Sequence, residues 1–366
     1  MNNISTNKNS EYSEKITVIS LARDVQTSEV MVTLQAEYRG KTVIKTVSRD
    51  TITVSGLREL SKYGFPTLTK TDIDEFLSYF TENESDFPMV NIYQKVGWHE
   101  IGGKDYFLHR KPLADGKAKN GIYKGKLDLS RKGSIDDVII FFDNNLREAI
   151  GLQTACAVSL ASAIVGRVKN KDLRFIFHIE GTSTSGKTTT LKLAGSLWGN
   201  PQIMPNGVVK NWNITGNKLV QSAGGNNGVL ICLDELAMSN TDNPQLTYLL
   251  TGGNDKQRMT NDDSSDDSFN TVFMSTGEIQ FRNSNYGGIT VRLFEVKNYN
   301  YTKTKELADT INDFVNEHYG TVGFEFATAL SDISDDVLTE KLDEFAKKVE
   351  KRIEMHAQKQ GKAISP

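Results

Sequence analysis

Apolar residues along this chain change their spacing as the chain proceeds. Ile16 to Ile19, Val30 to Ala36 and Thr42 to Val47 alternate apolar and polar positions, which predicts half-buried strands, with an Arg39-Gly40 turn before the last. Thr71 to Phe80 shifts to helical spacing, with Ile73, Phe76, Leu77 and Phe80 on one face behind a Thr or Asp cap. Tyr93 to Tyr106, around Val96-Gly97-Trp98, predicts a small hairpin. Farther on the runs become continuously apolar. Leu173 to Ile179, Val229 to Leu233 and Asn270 to Thr276 suit buried strands, and Gly288 to Val296 adds a further run. Ala149 to Val165, interrupted by Gln153, Thr154, Ser159 and Ser162, is slightly short for a membrane span and predicts a buried helix. Asp335 to Ala357 predicts an amphipathic helix. Its Leu338, Leu342, Phe345 and Val349 are expected to pack on their own domain rather than in an independent coiled coil.

The chemistry sits among the continuous runs. Gly181-Thr182-Ser183-Thr184-Ser185-Gly186-Lys187-Thr188 has the form G-x-x-x-x-G-K-[ST]. It falls between a predicted strand and a predicted helix that begins at Thr189. Glycines let backbone N–H groups close around phosphates, Lys187 reaches the β- and γ-phosphates, and the Thr188 hydroxyl ligates Mg²⁺. The run from Val229 ends in Asp234-Glu235. Acids at the C-terminal edge of a buried strand stand where open α/β sheets bind ligands. Asp234 is expected to hold Mg²⁺ and Glu235 to polarise an attacking water, so hydrolysis of ATP is implied rather than transfer. Ser275 and Thr276 end the next strand. They either orient the lytic water or simply close the strand. Arg292, inside an apolar run, needs an anion or carbonyl if buried. It is either an arginine finger reaching a neighbouring subunit or half of a structural ion pair.

Composition narrows the class. The 366 residues carry a net charge of −3, which does not suit a protein that coats nucleic acid by bulk charge. Any such contact must come from a local cluster or an assembled pore. Residues 104–132 hold nine lysines and arginines against three aspartates, with Tyr106, Phe107 and Tyr123 interspersed. That mixture suits a groove tracking a nucleic-acid backbone, and equally a solvated linker. Lys256 and Arg258 form a second basic loop, either channel-facing or plainly solvated. Cys156 and Cys232 lie in apolar runs and read as reduced core thiols. The five histidines form no ligand pair, and no Ser-His-Asp or Cys-His arrangement is present. No signal peptide is read at the N-terminus, and a cytoplasmic location without membrane association is expected.

The ordered series of motifs resembles the helicase-like ATPase family carried by phages and mobile elements. That family includes the replicative helicases of staphylococcal cassette and pathogenicity-island elements, which are similar to minichromosome-maintenance (MCM) helicases. The matching residues are Val96-Gly97-Trp98, the Gly181–Thr188 loop, Gly195-Ser196-Leu197-Trp198-Gly199-Asn200-Pro201, Trp212 and Thr215. They continue with Leu233-Asp234-Glu235, Ser275-Thr276-Gly277-Glu278, Val291-Arg292-Leu293 and Tyr319-Gly320. The resemblance covers roughly residues 15 to 330. It implies an α/β fold, a P-loop NTPase core of AAA+ type with a smaller α/β N-terminal domain, and a ring, expected to be hexameric, with ATP between subunits. It gives ATP binding and hydrolysis to Lys187, Thr188, Asp234 and Glu235, the first sensor to Ser275 or Thr276, and the arginine finger to Arg292. Lys256 and Arg258 fall where such helicases carry a DNA-contacting hairpin. Relatives continue into a helical lid and often a winged helix. Here one amphipathic helix and a basic tail remain, and Arg352 is the only late candidate for a second sensor. A truncated form, or a subunit completed by another protein, is therefore expected.

The resulting organisation is a disordered segment over 1–14, an N-terminal domain over 15–135, an ATPase domain over 136–330, and a helix with a basic tail over 331–366. The nucleotide is expected on Gly181 to Thr189 and Asp234, with ATP and Mg²⁺ as cofactors. The favoured function is a ring-forming DNA translocase or helicase serving replication of a phage or mobile element. Its partners would be single-stranded DNA, its own copies, and a primase, polymerase or completing C-terminal partner. The alternative is an ATP-driven switch for assembly, loading or defence without unwinding. A small-molecule kinase is disfavoured, because kinases lack the Asp-Glu pair with a downstream arginine.

Overall fold

A computed structural model describes residues 15–168, 173–239, 243–252, 268–281 and 292–359. The chain divides into two compact units, residues 1–95 with 120–125, and residues 96–119 with 126–366. The division expected near residue 135 grouped 96–119 with the first unit; their strands pair instead within the second.

In the first unit, β1 (Thr17–Asp24), β2 (Val30–Tyr38) and β3 (Lys41–Ser48) form an antiparallel meander. Strand β4 (Met89–Tyr93) runs parallel to β1, and β9 (Ile122–Tyr123) completes the order β3-β2-β1-β4-β9. A shift in register between Val18 and Ser20 inserts an extra residue into β1, so Ile16, Val18 and Leu21 all reach the core although their spacing is not strictly alternate. Helix α1 (Val54–Glu59) adds Leu57, and α2 (Lys70–Asn83) adds Ile73, Phe76 and Phe80 to the same core. Helix α2 starts where Thr69 and Asp72 form a reciprocal capping box.

The second unit is built on a parallel sheet in the order β11-β13-β14-β10-β15, comprising β10 (Ile176–Glu180), β11 (Val209–Asn211), β13 (Ile231–Asp234), β14 (Phe273–Gly277) and β15 (Leu293–Lys297). Helices α6 (Gly216–Ala223) and α7 (Asn243–Gly252) cover a cluster of Ile176, Trp212, Leu219, Leu233, Leu250 and Phe273. Helix α5 (Lys187–Ser196) packs against β13 and β14, with α4 (Ile150–Arg167) and the Lys305–Glu317 helix against it. By length and composition α4 passes as a membrane span, but 44% of it is buried. Its polar interruptions tie it to the core. Ser159 donates to Ala194 O at 2.7 Å and Ser162 to Gly228 O at 2.9 Å.

A smaller sheet joins β12 (Asn226–Asn227) to β5 (Val96–Ile101), β6 (Lys104–Leu108), β7 (Pro112–Ala114) and β8 (Lys117–Ala118). Gly102 and Gly103, at φ 61° and 76°, make the two-residue turn of the expected hairpin, which begins at Val96 rather than Tyr93. Gly97 holds φ 80° with Asn227 O only 2.0 Å from where a Cβ would sit. The Asp335–Lys359 helix departs from expectation. Leu338 is buried, but Phe345 and Val349 are exposed, so its apolar stripe packs only at the first turns.

Candidate active site

Strand β10 ends at Glu180, and the next six residues turn the chain into α5. That reversal needs left-handed backbone at Thr184 (φ 72°) and Gly186 (φ 81°). Thr184 takes that conformation at a steric cost that glycine avoids. A Cβ on Gly186 would also lie 2.6 Å from Thr302. The first turn of α5 therefore opens onto a cavity of about 660 Å³. Ser183, Thr184, Gly186 and Thr189 line it from the loop side, together with Lys187 and Thr188. Helix N-termini favour anions because their first N–H groups are unpaired and the peptide dipoles add.

Lys187 is buried, and its ammonium donates to Gly181 O at 2.8 Å and Thr182 O at 2.7 Å. Glu278 stands 4.0 Å from it. The Thr188 hydroxyl donates to Asp234, 3.2 and 3.1 Å from its two oxygens. Thr276 Oγ1 donates to the same carboxylate and accepts the Glu235 N–H at 3.2 Å. Glu235 lies on the cavity wall in a left-handed conformation, φ 65° and ψ 73°. A non-glycine residue held there costs about 1–3 kcal/mol, which the Thr276 contact helps to offset. The Ser185 hydroxyl is buried without a hydrogen-bond partner.

The structure separates the two hydroxyls that end β14. Thr276 stands behind the cavity wall, bonded to Asp234 and to the Glu235 N–H. Ser275 faces the sheet interior, where it bonds His178 Nδ1 at 2.9 Å and accepts the Trp212 indole N–H at 3.0 Å. Burial drives His178 down to about 4, so its ring is neutral. Arg292 precedes β15. Leu293 pairs with Ile176, so Arg292 is level with Phe175, six residues of strand before Gly181. At about 3.3 Å per residue that is ~20 Å from the loop. It does not line this chain's own cavity. Lys256 and Arg258 lie outside the described residues. Arg352 is exposed on the C-terminal helix and is absent from the cavity wall.

In the basic segment, Asp115 pairs with Lys104 and Lys119, Arg131 pairs with Glu325, and Lys132 with Glu317. Those two lysines hold the Asp115 carboxyl down near 2. Four of the nine cations are thus paired with carboxylates of their own unit. Among the described residues, no cluster of three metal-ligating side chains is present. Thr188 Oγ1 and the Asp234 carboxylate supply two oxygen donors side by side.

Sequence reasoning missed the cavity's other wall. Asn300, Thr302, Lys303, Thr304 and Lys305 line it from a segment after β15. No periodicity or motif marks them; only the parallel pairing of β10 with β15 brings them to the loop.

Comparison with known proteins follows this geometry. The family described as "Domain of unknown function (DUF927)" matches residues 2–265. Among solved structures, "SCCmec type IV Cch - active helicase" is similar in fold. Its TM-score is 0.73 at 24% identity, and the alignment covers 92% of this chain and 64% of that one. The chain thus spans less than two thirds of that helicase. The apo A form of the NrS-1 C-terminal region aligns over 88% of this chain and 67% of that one. Its TM-score of 0.34 and 14% identity carry no argument. A search of curated proteins found no match.

Proposed function

The chain belongs to the DUF927 family, and from that premise and the cavity's geometry we propose an ATP-hydrolysing motor of helicase type that acts on DNA in a phage or mobile element. The observation that carries this reading is that Lys187, Thr188 and Glu235 line one cavity beside the N-terminus of α5, with Asp234 and Thr276 hydrogen-bonded directly behind Thr188 and Glu235. On this reading the parallel sheet is a P-loop core of AAA+ type. The fold likeness to a helicase of a staphylococcal cassette supports it.

The side chains divide the work. Lys187 leaves the Gly181 and Thr182 carbonyls and binds the β- and γ-phosphates. The Thr188 hydroxyl and the Asp234 carboxylate are hard oxygen donors that would hold Mg²⁺ beside the phosphates. When bound, that ion neutralises charge building on the phosphates. Asp234 accepts from both Thr188 and Thr276, which fixes the carboxylate in place. Glu235 takes a proton from the attacking water, and Thr276 fixes the backbone that aims it. On this reading Arg292, remote from its own cavity, would serve a neighbouring subunit in a ring, taken as hexameric. DNA would pass through the channel against Lys256 and Arg258, and a primase, polymerase or C-terminal partner would complete the machine in the cytoplasm.

The second reading is an ATP-driven switch without unwinding. The internal pairing of Lys104, Lys119, Arg131 and Lys132 favours it, since these cations are committed to carboxylates rather than to phosphate. Turnover with and without single-stranded DNA at two salt concentrations separates the two. The motor requires stimulation that weakens steeply with salt. Glu235→Gln should cut turnover at least ~10²-fold and leave nucleotide binding in place. DNA-indifferent turnover would transfer the protein to the switch reading.

A further inference from the structure

We infer that the segment from Asn298 to Ala308 is a second, phosphate-facing wall of the cavity, in which Lys303 and Lys305 bind the anionic tail of the nucleotide in cis with Lys187. The inference rests on the nucleotide reading above.

The segment is fixed to the phosphate loop at several points. Asn298 N–H donates to Glu180 O at 3.1 Å, and Tyr301 N–H donates to Ser185 O at 3.0 Å. The Thr302 side chain occupies the space that the missing Cβ of Gly186 leaves, so it packs directly on the loop's backbone. Tyr299 and Tyr301 meet edge to face at 4.9 Å, and both rings lie against Gly151 at the start of α4. A Cβ there would come within 2.4 Å of Tyr299. The wall is therefore a built part of the site rather than a loop that happens to pass it.

Its local backbone aims two cations. Asn300 Oδ1 accepts the Lys303 N–H at 3.0 Å, and Lys303 takes the left-handed conformation, φ 55°. That residue type has no intrinsic preference for this region, so the turn around it sets the conformation. Thr304 then caps the Lys305–Glu317 helix by accepting Leu307 N–H at 3.2 Å. Thr304, Lys305 and Ala308 of that helix's first turn line the cavity. The same helix is tied back to α5, where Asn312 Nδ2 donates to Thr189 Oγ1 at 3.2 Å. Among the described residues, no carboxylate pairs with Lys303 or Lys305.

Charge completes the argument. The cavity wall carries Lys187, Lys303 and Lys305 against Glu235 and Glu278. A triphosphate bears more negative charge than Lys187 and one divalent ion neutralise. Two further ammoniums on the wall answer that excess, and beside a diphosphate they offset the Glu235 and Glu278 carboxylates. They take no part in the Thr276, Asp234 and Glu235 hydrogen bonds, so their effect is expected on binding rather than on the water that attacks.

The test is titration of a fluorescent ADP, and of a non-hydrolysable fluorescent ATP, against the full chain at two salt concentrations. Wild type, Lys187→Ala, Lys303→Gln, Lys305→Gln, the double Gln variant and Lys303→Arg are compared, with thermal melting in parallel. We expect the double variant to raise Kd about tenfold for both nucleotides and to flatten the salt dependence, with melting unchanged. Lys303→Arg should stay within about threefold of wild type, because it keeps the charge. If Lys187→Ala abolishes binding while the Gln variants bind like wild type with the same salt slope, the inference is overturned and the nucleotide reading stands. If wild type binds neither nucleotide, both fall together.

Discussion

Replacing Thr276 by valine isolates one oxygen at the acidic corner. The two side chains have nearly the same shape, and Thr276 is 1% exposed, so packing is conserved. What disappears is a donor to Asp234 and the acceptor for the Glu235 N–H. An unpartnered buried polar group costs about 1–3 kcal/mol. Here the loss also releases Glu235 from its left-handed backbone. If all of it is felt at the transition state, turnover falls roughly 5- to 150-fold, since about 1.4 kcal/mol is tenfold. The assay is phosphate release at saturating ATP, with Kd for nucleotide and chemical denaturation measured alongside. Thr276→Ser, which keeps the oxygen, should stay within a few-fold. Ser275→Ala should lower stability through Trp212 and His178 while leaving kcat nearly intact. The reasoning is refuted if Thr276→Val turns over like wild type and Ser275→Ala, still folded, does not.

Gly97→Ala forces a Cβ to 2.0 Å from Asn227 O at a backbone φ of 80°. The expected loss is about 3 kcal/mol or more of stability by urea denaturation, and an unchanged midpoint would contradict the fit of β5 against β12. Acid sensitivity should come from two buried histidines. Burial lowers His109 and His178 to about 4, below the unfolded value of 6.5, so the unfolded chain takes up protons first as pH falls. Stability is complete above about pH 6.5 and is lost toward pH 4, at up to ~1.4 kcal/mol per pH unit for each ring. Urea midpoints between pH 7 and 4.5 should show this slope, and His178→Gln should remove one proton's share of it.

What could be read in advance follows the range of the forces. The alternation of Val30 to Ala36 and the continuous runs at Ile176 and Ile231 are local patterns, and they gave the strands of both units to within a few residues. The Gly181–Thr188 loop is equally local, because turn, N–H nest and first helical residue are consecutive. The membership of strands in units was not legible. Val96–Leu108 reads as a hairpin in either unit, and only the pairing of Val96 with Asn226, 130 residues away, places it. The C-terminal helix misled for the opposite reason. Periodicity at Leu338, Leu342, Phe345 and Val349 says which face is apolar, not what covers it. The Lys303–Lys305 wall was invisible because its residues are ordinary loop types that matter only through the register of β15 on β10.

The choice between Ser275 and Thr276 shows how little extra information closes such a gap. Side chains alternate faces along a strand, and in parallel neighbours the residues of matching register share a face. Leu233 pairs with Ser275, so Asp234 stands beside Thr276. Leu233 packs in the apolar cluster under the sheet, and Ser275 must face the same way. There its hydroxyl needs internal partners, which Trp212 and His178 provide. Thr276 then faces the same way as Asp234, toward the end of the sheet where α5 begins. The two hydroxyls are adjacent in sequence and chemically equivalent, yet one is a core hydrogen-bond node and the other holds the acidic corner. Parity relative to a single aspartate decides between them. The same parity makes a one-residue slip of β14 against β13 costly. It would move Thr276 off the carboxylate and put Ser275 or Gly277 there instead, so the register that organises the core also assembles the site.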